Sequence, residues 1–278
     1  MRQRYRLVPA AILALALAAV PAAAKNISIS ISPTVTLESG TLTAQVRVQN
    51  SGDEAAQSVS PVFRFADKEA RGDTKPALAP NESMTTSVSL PVGALGPGRW
   101  PFRLAIDYTD ANQYPFEALH MGLLAVGNAP AAKVAVQEIK GGPLSGTSTL
   151  NVRVKNLAGT ERHATVLLVA PEGIEVTKPT QELALAAWQE ASLSAPMYNR
   201  TALAGSRYPV FVAVEYDDGG VHQAVISQGI VEIQAPQSFF QSQKQILWIG
   251  AGIVIAGWFG FVLWQLAARR PRRATPRA

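Results

Sequence analysis

Between residues 25 and 235 apolar side chains tend to recur at every second position. Trp100, Phe102, Leu104, Ile106 and Tyr108 share one side of one segment, and Tyr208, Val210, Val212, Val214 and Tyr216 share one side of another. Leu42, Ala44, Val46 and Val48 alternate in the same way with Thr43, Gln45, Arg47 and Gln49. Side chains two apart point the same way in a strand, not in a helix. The pattern therefore predicts half-buried strands of antiparallel sheets, with one face in a core and the other in water. Asp217, Asp218, Gly219 and Gly220 predict a hairpin leading into a strand over 221–226, because Asp-Gly and Gly-Gly pairs accept positive φ. The earlier segment has its turn over 109–113. No long amphipathic helix is predicted between residues 25 and 235, although 183–189 could form a short helical turn.

These segments occur in pairs. LTAQVRVQN at 42–50 matches TLNVRVKN at 149–156, an offset of 106, and GRWPFRLAIDYTD at 98–110 matches SRYPVFVAVEYDD at 206–218, an offset of 108. Two offsets that agree so closely over more than fifty intervening positions predict a duplicated module of about 105 residues. Short strands, frequent Gly and Pro, and modules of that size predict an all-β chain of two tandem immunoglobulin-like β-sandwich domains. The first covers 25–126 and the second 133–235, joined by a linker over 127–132 (GNAPAA). In each copy a turn precedes an aromatic residue, Trp100 or Tyr208, at the start of the penultimate strand, where sandwiches place a corner tyrosine or a core ring; either role is structural. The run V-x-V-x-N followed by Gly (Val46, Val48, Asn50, Gly52; Val152, Val154, Asn156, Gly159), with the later aromatic and Y-x-D, resembles CARDB and NEW3-type bacterial and archaeal surface modules. That resemblance implies an adhesive or accessory role and carries over no catalytic residue. The first copy departs from it by lacking the double glycine of the late hairpin.

Both ends of the chain are apolar. Arg2, Arg4 and Arg6 lead into an apolar run over 7–20 and a small-residue site at Ala22, Ala23 and Ala24, the layout of a cleavable signal peptide over 1–24. No cysteine follows, which excludes a lipoprotein anchor. Residues 246–266 carry no charge and, at about 1.5 Å of rise each, are long enough for one transmembrane helix. Trp248 and Trp264 sit near its ends at interfacial depth. A polar juxtamembrane stalk is expected over 236–245, and a basic cytoplasmic tail over 267–278 holding Arg269, Arg270, Arg272, Arg273 and Arg277. The expected location is a bacterial inner membrane, crossed once, with the modules periplasmic or extracellular.

Removing the signal and the tail changes the meaning of the net charge of +5, since 17 Lys and Arg then face 20 Asp and Glu. The exported part is mildly acidic, and the basic balance marks topology, not a nucleic-acid surface. Without cysteine there is no disulfide framework, thiolate metal site or cysteine nucleophile.

Little in the exported part indicates catalysis. His120, His163 and His222 are the only histidines, and none has a second histidine or a carboxylate at metal-ligand spacing. Asp107, Asp110, Glu215, Asp217 and Asp218 gather at equivalent strand ends, where calcium is conceivable but turn formation is the simpler role. Arg71, Gly72 and Asp73 spell an RGD triplet, and Asn26, Asn81 and Asn199 head glycosylation sequons that matter only in a host that uses them. Neither a nucleophile elbow nor a phosphate loop occurs. In the apolar span Gly252, Ala256 and Gly260 stack every four residues as a candidate helix contact, for a partner or for self-association.

The expected function is thus non-enzymatic and without metal or cofactor: a membrane-anchored structural or interaction protein that meets a protein partner through its modules and its helix. The alternative is a carbohydrate- or cation-binding accessory module of an envelope enzyme or transporter, which an exposed aromatic patch or three acids around one point would favour. A hydrolase would require His163 or His222 in a pocket beside a carboxylate.

Overall fold

The computed structural model describes residues 26–235 and the backbone of 244–268. The proposed signal, most of the proposed stalk and the five tail arginines lie outside the described residues.

Eight strands build the first module: β1 (Ile29–Glu38), β2 (Thr41–Asn50), β3 (Ala56–Phe65), β4 (Lys68–Arg71), β5 (Lys75–Leu78), β6 (Ser83–Pro91), β7 (Gly98–Thr109) and β8 (Pro115–Val126). The second repeats them as β9 (Val134–Gly141), β10 (Thr147–Asn156), β11 (Arg162–Val169), β12 (Ile174–Val176), β13 (Thr180–Leu185), β14 (Glu190–Asn199), β15 (Arg207–Asp218) and β16 (Val221–Glu232). One sheet of the first module has the order β1-β2-β6, and the other is β4-β3-β7-β8 with β5 also on β3. The second module has β12-β14-β10-β9 facing β13-β11-β15-β16. Each is the two-sheet arrangement of an immunoglobulin-like sandwich.

Alternation along the strands fills each core. Leu42, Ala44, Val46 and Val48 are fully buried and meet Phe63, Leu104 and Ile106 across the first sandwich. Val152, Val154, Val210, Val212 and Val214 do the same in the second. Asp218 pairs with Val221 around Gly219 and Gly220, both at positive φ (60° and 81°), so the second late hairpin has the expected two-residue turn. Its counterpart is a longer loop over 110–114, where the Asp110 carboxylate accepts the N–H groups of Asn112 and Tyr114 at 2.8 and 2.9 Å. The segment 183–189 is not a helical turn: β13 runs through Leu185, and Trp188 turns the chain at φ 62°.

The motif asparagines explain why the repeat keeps V-x-V-x-N. Asn50 and Asn156 are completely buried, each at the end of its strand. Asn156 Nδ2 donates to the carbonyls of Thr160, Leu185 and Ala186 at 2.7, 3.0 and 3.1 Å, and its Oδ1 accepts the Ala158 N–H at 3.0 Å. Asn50 makes the matching set with Glu54, Leu78 and Gly52 at 2.7, 3.1 and 3.0 Å. One amide thus ties a strand end to two loops, satisfying backbone groups that burial would otherwise orphan.

The outer faces of β7 and β15 do not both lie in water as the alternation predicts. Val62, Ala105, Leu119 and Met121 of the first module pack on Val169, Phe211 and Ala213 of the second in a third apolar cluster. Ala105 and Ala213 have no exposed surface at all. The sheets that meet there are buried on both faces, so their strands read as near-continuous apolar runs. A bridge from Gly98 to His222 joins them edge to edge.

A single described helix, α1 (Lys244–Ala268, 25 residues), contains the whole uncharged stretch. Among the described residues no helix is long and apolar enough to cross a membrane; the longest run of α1 whose side chains are described is 252–261.

Candidate functional site

Two features occur where the modules meet: a polar junction around His222 and, toward the opposite ends of β7 and β15, an open cleft. At the junction, Pro97 O accepts the His222 N–H at 3.1 Å, and the His222 ring stacks on Trp100 with centroids 3.9 Å apart and planes 16° from parallel. Gly98, at φ 142°, lies so close to the His222 backbone that no Cβ fits there. His222 does have carboxylate neighbours, contrary to the reading from spacing. Its Nδ1 lies 3.1 Å from Asp217 and its Nε2 3.2 Å from Glu215, because the two-residue turn sets Asp217 opposite His222. The Glu215 hydrogen bond is the main reason the imidazole pKa rises above its ordinary value; burial opposes the rise and Asp217 adds to it. With both nitrogens facing carboxylates and one ring face covered by Trp100, His222 is placed to hold the junction, and neither nitrogen is left to take a proton from a substrate.

The linker is tied to both sides. Arg99 donates to the carbonyls of Pro130 and Ala129 at 3.1 and 3.4 Å, and the Tyr216 hydroxyl accepts the Lys133 N–H at 2.6 Å. Asp218 receives Arg162 at 3.0 Å and Lys133 at 3.4 Å, and the hydrogen bond from Arg162 is the first cause of its lowered pKa. Across the apolar cluster, Glu117 accepts the Glu172 N–H at 2.8 Å, and burial raises its carboxyl pKa. The Tyr114 hydroxyl donates to the Thr201 carbonyl.

The cleft, of about 740 Å³, opens along the side of the first sandwich and is closed by the loop leading into β15. Five consecutive residues of β8, Phe116 to His120, line it. A strand that turns a face to a cavity contributes alternate residues, so β8 presents its edge there. β1 contributes a face: Ile27, just before it, with Ile29 and Ile31. Arg207 and Tyr208 form the far wall, and Glu54 and Asp110 stand at the rim. Tyr108 stacks on Phe116 at 5.5 Å, and Tyr114 tilts against the same ring at 5.2 Å. These rings spend their faces on one another and do not form an open platform. Burial pushes the Tyr108 phenol up to about 12, which keeps it protonated as a donor.

The remaining candidates show no arrangement for chemistry. His163 is exposed beside Glu161, and half-buried His120 has its pKa lowered by burial. Arg71 of the RGD triplet pairs with Asp107 and Glu69 at 3.0 and 3.3 Å, so two carboxylates already engage its guanidinium. Among the described residues no three His, Asp or Glu gather as a metal site. Asn199 is held by both polar atoms to Ala202. The corner aromatics take structural bonds, Trp100 Nε1 to Gly96 O at 3.0 Å and the Leu203 N–H to the Tyr208 hydroxyl at 3.4 Å. Gly252, Ala256 and Gly260 all lie exposed on α1, and among the described residues nothing comes within 4 Å of where a Cβ would stand on either glycine. Sequence reasoning missed Trp100 as a junction residue, and missed Ile27, Glu117 and the β8 edge.

No family model matches the sequence, so the likeness to CARDB and NEW3-type modules rests on strand pattern alone. No curated protein matches it either. Among solved structures, the native Escherichia coli alpha-2-macroglobulin is 13% identical over 75% of this chain and 17% of its own, with a TM-score of 0.32. The elastase-activated form of that protein is 14% identical over 77% and 22%, with a TM-score of 0.31. Red sea bream transglutaminase is 11% identical over 76% and 31%, with a TM-score of 0.26. The chain spans less than a third of the length of each, and its fold assignment rests on the strand order described above.

Proposed function

We propose that this chain is a membrane-anchored interaction protein, holding two immunoglobulin-like modules as one head outside the cytoplasm and meeting an envelope partner through the head and the helix. The observation that carries the reading is the pairing of a docked double sandwich with an apolar helix whose described side chains all lie exposed. Ile253, Val254 and Leu263 are 64–70% exposed on α1. A helix apolar all round needs an apolar surrounding, and the uncharged stretch 246–266 has the length of a hydrocarbon crossing. The arginines that follow support an inside C-terminus and the apolar N-terminal run supports export. Inside the head, the ionisable groups at the junction bond to each other and to backbone, which supports a holding role over a reacting one.

The reading is tested by crosslinking in native membranes followed by identification of what co-purifies. Wild-type chain is expected to capture a defined membrane or envelope protein. The double variant Gly252→Leu, Gly260→Leu is expected to lose that partner, or self-association, if the small-residue face is the contact. Unchanged association removes the helix face from the reading, and a chain recovered from the soluble fraction removes the anchor.

A further inference from the structure

The cleft has the features of a strand acceptor. Over Phe116–His120 β8 is an edge: it pairs only with β7, so the outward-pointing N–H and C=O groups of the stretch have no backbone partner among the described residues. Free main-chain groups in a partly enclosed cleft bond whatever extended backbone is laid along them. Opposite stand Ile27, Ile29 and Ile31, spaced by two, whereas Pro33, Val35 and Leu37 further along the strand do not reach the cleft. An added strand would turn alternate side chains onto these isoleucines and the intervening ones outward. The surrounding charge is unequal. Glu54 and Asp110 face the cleft against Arg207, which already pairs with Glu232 at 3.2 Å, whereas the Glu117 carboxylate is held by the Glu172 N–H and by Arg64 at 3.7 Å. Asp110 is taken up by its own loop, leaving at the rim the Glu54 carboxylate, whose one bond among the described residues comes from the Ala111 N–H at 3.4 Å. The volume falls within the usual range of a ligand site, about 300–1,000 Å³.

We propose that the cleft receives an extended segment of a partner protein as an added strand on the edge of β8, apolar at alternate positions that seat on Ile27, Ile29 and Ile31, with a lysine or arginine between them facing Glu54. The proposal rests on the reading of the chain as an interaction protein, and names the site and the chemistry of the segment.

The full chain in phosphatidylcholine nanodiscs is titrated with fluorescein-labelled acetyl-VKVKVKV-amide, acetyl-VEVEVEV-amide and the unpatterned acetyl-VVVVKKK-amide, with empty nanodiscs as blank. The alternating lysine peptide is expected to bind saturably and at least about tenfold more tightly than either control, the ratio that about 1.4 kcal/mol supplies. Binding is expected to slow amide exchange within 116–120. Glu54→Lys, a rim substitution outside both cores, is expected to reverse the preference between the lysine and glutamate peptides. Ile29→Glu is expected to abolish binding, and its β2 and β10 amide protection reports whether it still folds. The proposal is overturned by equal binding of the unpatterned peptide, by exchange within 116–120 that bound peptide leaves unchanged, or by a preference that Glu54→Lys does not move. It is equally overturned if those amides are already protected in the unliganded chain, or if chitohexaose binds and no peptide does. A partner that still crosslinks in membranes while all peptides fail leaves the interaction reading standing and removes only strand addition.

Discussion

Replacing Asn156 tests whether one buried amide holds the second sandwich together. In Asn156→Ala the buried Ala158 N–H loses its acceptor, and the carbonyls of Thr160, Leu185 and Ala186 lose a donor. An orphaned buried group costs about 1–3 kcal/mol and each exchanged bond about 1 kcal/mol, so a loss of about 2–4 kcal/mol is expected after partial relaxation toward water. Against a typical total of about 5–15 kcal/mol this is a large fraction. At about 4–8 °C per kcal/mol, the midpoint of a module of this size should fall by about 10 °C or more. A two-module chain need not unfold in one step. The assay is therefore amide exchange resolved by strand, with urea unfolding by circular dichroism beside it: protection should fall in β10 and β14 and hold in β2 and β6. Asn50→Ala should give the mirror result. Asn156→Asp is the sharper control, because it keeps the acceptor for Ala158 but turns a carboxylate toward three carbonyl oxygens. Burial and those oxygens raise its folded-state pKa, so its penalty should be full at neutral pH and shrink as acid protonates it. A loss below about 1 kcal/mol for Asn156→Ala, or an Asn156→Asp chain as stable as wild type at pH 7, would refute the assignment.

Two further outcomes concern the junction. Gly98→Val places a side chain where the His222 backbone lies, at a φ of 142° that valine does not adopt without strain; the radius of gyration should rise and exchange at His222 should quicken while both cores stay protected, and an unchanged scattering profile would count against the junction as a steric lock. For His222 the folded pKa is raised, so its contribution to stability is complete below its ordinary value near 6.5 and disappears as pH climbs through the higher folded value. His222→Gln should flatten the stability profile over that window, and imidazole NMR should titrate above 6.5 in the wild type; a titration at or below it would reject the double-carboxylate clamp.

The legible part of the fold was local. Period-two alternation marked β2, β7, β10 and β15 because a strand sorts its side chains by parity whatever surrounds it. The equal offsets revealed the duplication, and the Gly219-Gly220 turn was readable because few residues tolerate its φ values. That same turn held the key to one part of the junction: with Asp218 opposite Val221, Asp217 must face His222, a consequence of register that spacing along the chain conceals.

The rest depended on how one module lies against the other. Val62, Ala105, Phe211 and Ala213 occupy parities that an isolated sandwich gives to water, and their apolar character has no explanation until the second sheet covers them. Trp100 sits in the first module and the His222 ring it stacks on in the second, joined by no local periodicity. The cleft is of the same kind, since the loop into β15 walls it opposite β1 and the edge of β8. Sequence alone determined the strands, the repeat and the apolar ends, because these follow from the chemistry of neighbouring residues. The docking, the stacking of Trp100 on His222 and the cleft were decided by tertiary structure, because each brings together residues that lie far apart in the chain.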